Sequence, residues 1–156
     1  MPTAARGINL CRYPEGPAAS PGFLLWHLTL AWQRAVTAAL EPLDLTHVQF
    51  VLLACAWWLG SNGQVPNQLQ LARQAGTDVK MTSQVVRPLE AKGLLRRQVD
   101  PGDSRARRLH LTAKGDRLAQ RAISAVEQAD AEFFGAEAAA VTKLLQRMVG
   151  DVAGHG

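Results

Sequence analysis

NQLQLARQAGTDVKMTSQVVRPLEAKGLLRRQVDPGDSRARRLHLT, residues 67 to 112, is the stretch on which the fold turns. It reads as helix, turn, helix, hairpin. Asn67-x-x-Gln70 has the form of a capping box, in which two side chains satisfy free N–H groups at a helix start. The helix so opened runs through Leu71 and Ala72 and stops at Gly76, a residue suited to the left-handed cap. Asp78 then caps a second helix whose buried side is Val85, Val86 and Leu89, and Gly93 closes it. Leu95 to Val99 and Arg107 to Leu111 alternate well enough to pair as strands across Asp100-Pro101-Gly102. Thr112 caps the helix that follows.

Charge concentrates in the same stretch. Between Val79 and His110 lie eight basic residues (Lys80, Arg87, Lys92, Arg96, Arg97, Arg105, Arg107, Arg108) and three acidic ones (Glu90, Asp100, Asp103), a net +5. The rest of the chain carries nine basic and ten acidic residues, so the whole net charge of +4 sits in one element. A helix presented beside a basic hairpin is an arrangement suited to a DNA major groove and its neighbouring groove.

Working outward, Ser20-Pro21 opens a first helix, with proline where its missing N–H costs nothing. Phe23 to Leu40 carries apolar residues on nearly every face, which predicts burial on more than one side. Pro42 ends it. Thr46-x-x-Gln49 is a second capping box, opening a helix through Val51, Leu52, Leu53, Cys55, Trp57 and Trp58 to Gly60. Beyond Thr112, Leu118, Ala122, Val126, Ala129 and Phe133 keep a three-four spacing. A last helix carries Val141, Leu144, Leu145, Met148 and Val152. The first helix and the last two have more apolar surface than a small helix-turn-helix core absorbs, so a second copy is the expected partner.

At 156 residues and 47% hydrophobic content the chain is a globular domain with a core of its own. Its pI near 9.6 fits a polyanionic partner. Phe50 to Gly60 is the longest apolar run, too short for the roughly 20 residues of a membrane span. The N-terminus lacks an apolar signal core, so the chain reads as cytoplasmic, with no membrane partner. Cys11 and Cys55 make no disulfide framework, and the four histidines show no metal-ligand spacing. No phosphate loop or nucleophile motif points to catalysis or a cofactor. A non-enzymatic binding protein is expected.

The motif order resembles the MarR family of winged-helix transcription regulators. Leu45-Thr46-x-x-Gln49-Phe50, Leu71-Ala72, Leu89-Glu90-Ala91-Lys92-Gly93-Leu94-Leu95-x-Arg97, Pro101, Asp103-x-Arg105 and Leu111-Thr112-x-x-Gly115 carry the resemblance. It implies a mostly α fold of five to six helices plus a two- or three-stranded β-wing. Residues 1–19 would form an N-terminal arm, 20–44 and 113–154 a helical dimerisation region, and 45–112 the DNA-binding lobe. It further implies a homodimeric repressor of a pseudo-palindromic double-stranded operator, released by a small, often aromatic, effector.

Placed residue by residue, the resemblance assigns groove reading to Lys80, Thr82, Ser83, Gln84 and Arg87. At the wing, Arg105 would reach the minor groove, Asp103 would hold that arginine in place, and one of Arg107 and Arg108, alternating on the second strand, would meet phosphate. Gln84 stands where several relatives have arginine, and Pro88 falls inside the recognition helix. Proline there removes a backbone bond and predicts a bend or change of axis. An effector pocket would draw on Trp26, His27 and Trp57, since all four tryptophans lie in the first two helices. Two alternatives stand beside this reading: a winged-helix module for a protein partner, and a regulator of the same fold switched by cysteine oxidation. Against the latter, Cys11 precedes Pro14 and lies outside the first helix, and the positions that hold tyrosines in the peroxide-sensing branch are His47 and Phe50.

Overall fold

A computed structural model describes residues 12–153, with side chains through Asp151. Cys11 and His155 lie outside the described residues. The chain divides into two units, one ending at Arg34 and the other beginning at Ala35. Helix α1 (Pro21–Leu40) runs through the boundary.

In the first unit a short 3-10 turn, Pro17–Ala19, precedes α1, and Ser20 Oγ accepts a bond from the Phe23 N–H at 3.4 Å. Phe23, Leu24, Leu25, Trp26 and Leu28 are all exposed. Within this unit the described residues therefore do not supply the many-sided burial expected of the segment.

The second unit holds the core. Val36 and Leu40 end α1 fully buried. A 3-10 turn, Glu41–Leu43, follows, and Asp44 takes a left-handed φ of 53°. Both expected capping boxes form. Thr46 and Gln49 exchange bonds of 3.2 Å at the start of α2 (His47–Ser61). Asn67 and Gln70 exchange bonds of 2.8 and 2.9 Å at the start of α3 (Gln68–Ala75). Gly76, at φ 69°, turns the chain into α4 (Val79–Ala91), whose cap is Asp78 accepting from the Met81 N–H at 2.7 Å. Leu52, Leu53, Leu71, Val86, Leu89 and Leu94 pack together with less than 2% exposure. Each contributes roughly 1.5–3 kcal/mol of hydrophobic stabilisation.

Pro88 does not interrupt α4, which is one continuous helix through it. Pro88 and Gln84 are both exposed. The carbonyl of Gln84, deprived of its usual donor four residues on, therefore lies on the face open to water, where the loss is mildest.

Strands β1 (Leu95–Asp100) and β2 (Asp103–Leu111) pair antiparallel, Leu95 opposite Leu111 and Val99 opposite Arg107. The register shifts between Val99 and Asp100, and Asp100 then pairs with Asp103. β2 thus begins four residues before the alternating segment, because the turn tightens to Pro101 and Gly102. A stub of third strand joins the wing: Asn67 bridges Arg108, and the Leu109 N–H donates to the Pro66 carbonyl at 2.8 Å. Helices α5 (Ala113–Phe134) and α6 (Ala138–Ala153) complete the chain. The fold is the expected mostly helical winged helix-turn-helix. No single helix among the described residues is long and apolar enough to cross a membrane.

Candidate nucleic-acid interface

The capped start of α4 decides which side chains reach solvent. Leu89, Val86 and Thr82 sit three and four residues apart on the buried side. At about 100° per residue, Lys80, Gln84 and Arg87 then form a line along the opposite face, and all three are exposed. Ser83, half-buried, borders that line.

Thr82 corrects the sequence expectation. It is fully buried, and its hydroxyl lies 2.7 Å from the Thr77 hydroxyl and 2.8 Å from the Asp78 carbonyl it donates to. A hydroxyl so satisfied stabilises the turn between α3 and α4 and offers nothing to a base. Gln68 reinforces the same turn, donating from Nε2 to the Val79 carbonyl at 3.2 Å.

The wing sorts its charges in a similar way. Asp103 Oδ1 accepts from the backbone N–H of Arg105 at 2.9 Å. The acid thus fixes the tip through the main chain and leaves the Arg105 guanidinium exposed. Arg107 folds back, donating to the carbonyls of Ser104 and Ala106 at 3.0 and 3.2 Å. Arg108 Nε bonds Asp100 Oδ2 at 2.9 Å. That guanidinium, followed by the Gly102 N–H, holds the Asp100 carboxyl below its ordinary range. Arg97 Nε stands 2.8 Å from Glu90 Oε1 with its N–H off the line to the oxygen, an ion pair without an aligned hydrogen bond.

The eight cations of the basic stretch are therefore not equivalent. Lys92, Arg97 and Arg108 are paired with Asp44, Glu90 and Asp100. Lys80, Arg87 and Arg105 have no acidic partner among the described residues, and all three are exposed. Unpaired guanidinium and ammonium groups on one helix face and one hairpin tip suit phosphate and base-edge acceptors. On the outer face of the wing Arg96 stands opposite His110. Burial, then Arg96 and Arg108, push the His110 imidazole below its ordinary pKa, so near neutral pH it adds no further positive charge.

The residues expected to line an effector pocket are dispersed over the two units. In the first, Trp26 is exposed and His27 meets Phe23 edge-on at 4.4 Å. In the second, Trp57 is half-buried on α2. A groove of about 510 Å³ runs between the end of α1 and α5, lined by Ala35, Ala38, Ala125, Ala129, Glu132 and Phe133 among others. Another, about 440 Å³, lies at the α1–α2 corner beside His47 and Lys92. Burial lowers the His47 pKa there, against an opposing pull from Asp130. Cys55 is half-buried, and burial raises its thiol pKa, which disfavours the reactive thiolate. Among the described residues no cluster of three His, Cys, Asp or Glu is placed to hold a metal.

Sequence reasoning named Gly115 only as part of a motif. Its role is steric: a Cβ there would lie 2.0 Å from the Leu94 carbonyl oxygen, so glycine lets α5 dock directly on the α4–β1 turn. Thr112 seals the same contact, accepting from the Gly115 N–H at 3.0 Å and donating to the Gly93 carbonyl at 2.6 Å.

This geometry has close counterparts. A family model described as MarR family matches residues 45–106. The uncharacterized HTH-type transcriptional regulator YdcH of Bacillus subtilis is 46% identical over 122 residues, 78% of this chain and 83% of that protein. The HTH-type transcriptional repressor Rv2887 of Mycobacterium tuberculosis is 32% identical over 128 residues, 82% of this chain and 89% of the repressor. Its crystal structure in complex with salicylic acid aligns 86% of this chain with 96% of that one, at 31% identity and a TM-score of 0.61. The structure of CouR from Rhodococcus jostii RHA1 bound to p-coumaroyl-CoA aligns 89% with 95%, at 27% identity and a TM-score of 0.77. YdcH is described as a transcriptional regulator and Rv2887 as a transcriptional repressor.

Proposed function

Since the chain belongs to the MarR family of transcription regulators, we propose that it acts as a homodimeric repressor of a pseudo-palindromic operator, released by a small aromatic effector. The observation that carries the DNA side is the exposed line Lys80, Gln84 and Arg87, whose two cations have no acidic partner among the described residues, together with Arg105 at the wing tip. In this reading Gln84 grips an adenine edge, Arg87 a guanine edge, and Lys80 and Ser83 bases or phosphates. Arg105 enters the minor groove, where a narrow, negative channel favours a guanidinium. Asp103 sets the direction of that residue through its backbone, and Arg107 shapes the tip.

The dimer is supported by apolar surface that each unit leaves uncovered. In the second unit Leu144, Leu145, Met148 and Val149 of α6 are exposed. In the first, the exposed run from Phe23 to Leu28 is of the same character. A second copy covering such surface would present two recognition helices to one duplex, whose half-sites one turn apart call for a spacing of about 34–36 Å. The effector class is supported by the aromatic acid and the aromatic acyl thioester bound to Rv2887 and CouR.

Fluorescence anisotropy with DNA from the protein's own promoter, against scrambled DNA across a salt series, tests the reading. Tight, selective binding by a dimer should weaken by about 0.9 log units per neutralised phosphate per log unit of salt. Added salicylate or hydroxycinnamates should then release the DNA. Equal, feeble binding to both DNAs, with no salt slope, would remove the regulator reading and favour a protein partner.

A further inference from the structure

The reading face of α4 is not wholly polar. Met81, in its first turn, is 42% exposed, although a core of leucines and valines lies on the other side of the same helix. At about 100° per residue, Met81 falls about 60° from Gln84, on the flank of the line of Lys80, Gln84 and Arg87. Val79 is also exposed but falls about 140° from Gln84 by the same count, away from that line. The Met81 N–H is held by the Asp78 cap and Thr82 beside it is locked into the core, so the backbone that presents the methionine is fixed.

A flexible thioether on the flank of a line that carries two cations suits a partner that is anionic and also offers small apolar contacts. The major groove meets both requirements at thymine, whose C5 methyl projects among acceptors, whereas a G·C pair presents no methyl. Resting on the DNA-regulator reading above, we infer that Met81 is a specificity-determining residue that packs against a thymine methyl beside the base gripped by Gln84. The unbranched side chain follows a methyl without forcing the helix to move. Selectivity at that position comes from apolar contact and not from a hydrogen bond.

The test removes the methyl without altering any hydrogen-bonding group. Sequences bound by the full-length chain are first recovered from a randomised duplex pool. Each thymine of the recovered site is then replaced singly by deoxyuridine, and anisotropy is measured for wild type and Met81→Ala. Wild type should lose about fourfold in affinity, the value of one buried methyl group, at a thymine in each half-site. Met81→Ala should show no loss at the same position, with an unchanged far-ultraviolet circular dichroism spectrum. Selective binding that is indifferent to every deoxyuridine overturns the inference and leaves the regulator reading intact. An equal penalty in Met81→Ala does the same. A chain that selects no sequence from the pool overturns the regulator reading, and this inference with it.

Discussion

Replacing Gly115 by alanine places a methyl group 2.0 Å from the Leu94 carbonyl oxygen, 2.9 Å from its carbonyl carbon and 3.2 Å from Leu111 Cδ2. A carbon–oxygen contact is comfortable from roughly 3.3 Å, so α5 or the α4–β1 turn must retreat by roughly 1.3 Å. The Leu94 atoms are backbone and cannot rotate away. Retreat strains the Thr112 cap at both bonds, to the Gly115 N–H and from its hydroxyl to the Gly93 carbonyl, together with the Thr112 N–H bond to Leu94 at 3.1 Å. Overpacking of this kind costs about 1–3 kcal/mol, and a weakened cap about 1 more. Removing a helical glycine returns at most about 1. The net loss is about 2 kcal/mol, a fall in melting temperature of roughly 4–8 °C for a chain of this length. Thermal unfolding followed by circular dichroism, at matched protein concentrations, reads it directly. Gly60→Ala is the control, because nothing lies within 4 Å of a Cβ built there. It should melt at or above the wild-type temperature. A Gly115→Ala protein as stable as wild type would refute the steric reasoning and the docking role drawn from it.

Arg105→Ala should weaken DNA binding at an unchanged melting temperature, with a salt slope shallower by about 0.9 if the contact neutralises one phosphate. Gln84→Ala should lose about 1–3 kcal/mol of discrimination between operator and mismatched DNA, and equal weakening on all sequences would deny it a base contact. Thr82→Val should do the reverse, losing about 1–3 kcal/mol in urea unfolding because the Asp78 and Thr77 contacts lose their hydroxyl partner, with base preference unaltered. The Asp100 carboxyl is held below its ordinary range, so its pairing with Arg108 adds stability above about pH 3.9 and loses it as pH falls through the folded value. The Arg108 Nε–H resonance should keep its bonded position down to about pH 4 and shift below it; a shift already complete at pH 5 would contradict this.

The elements that could be read from the sequence are those specified by residues three or four apart. Thr46 with Gln49, Asn67 with Gln70, Asp78 with Met81 and Thr112 with Gly115 all close within one helical turn, and all four form. Gly76 and Gly93 stand at positive φ where a helix stop was expected. Where periodicity was weak, the reading fell short. The segment from Asp103 to Ala106 has no apolar alternation, so its place in the ladder depends on pairing with β1. The resemblance groups Thr82 with its polar neighbours, and a hydroxyl suits surfaces and turns alike. Only its angle on α4, opposite Lys80, and its hydroxyl contacts with the Asp78 carbonyl and the Thr77 hydroxyl set it inside.

Lys92 shows what no local pattern carries. By composition it belongs to the basic stretch, yet its ammonium group donates to the Asp44 carbonyl and lies 3.2 Å from the Asp44 carboxylate. That carboxylate is 95% exposed, so the ion pair itself adds little. The carbonyl bond matters more, because Asp44 presents it from a left-handed turn that joins α1 to α2. Gln49, which already closes the α2 capping box, stands 3.4 Å from the same ammonium. From the other side Lys114 and Thr112, at the start of α5, donate to the carbonyls of Lys92 and Gly93. Lys92 and Gly93, just past the end of α4, are thus held by the α1–α2 turn, α2 and the start of α5 together, over sequence separations of 19 to 48 residues. These bonds tie the end of α4 to α2 and α5 through Lys92, Gly93 and Lys114, none of which belongs to the proposed line of Lys80, Gln84 and Arg87. In the proposed reading Lys92 therefore serves the placement of α4 and not the contact with DNA.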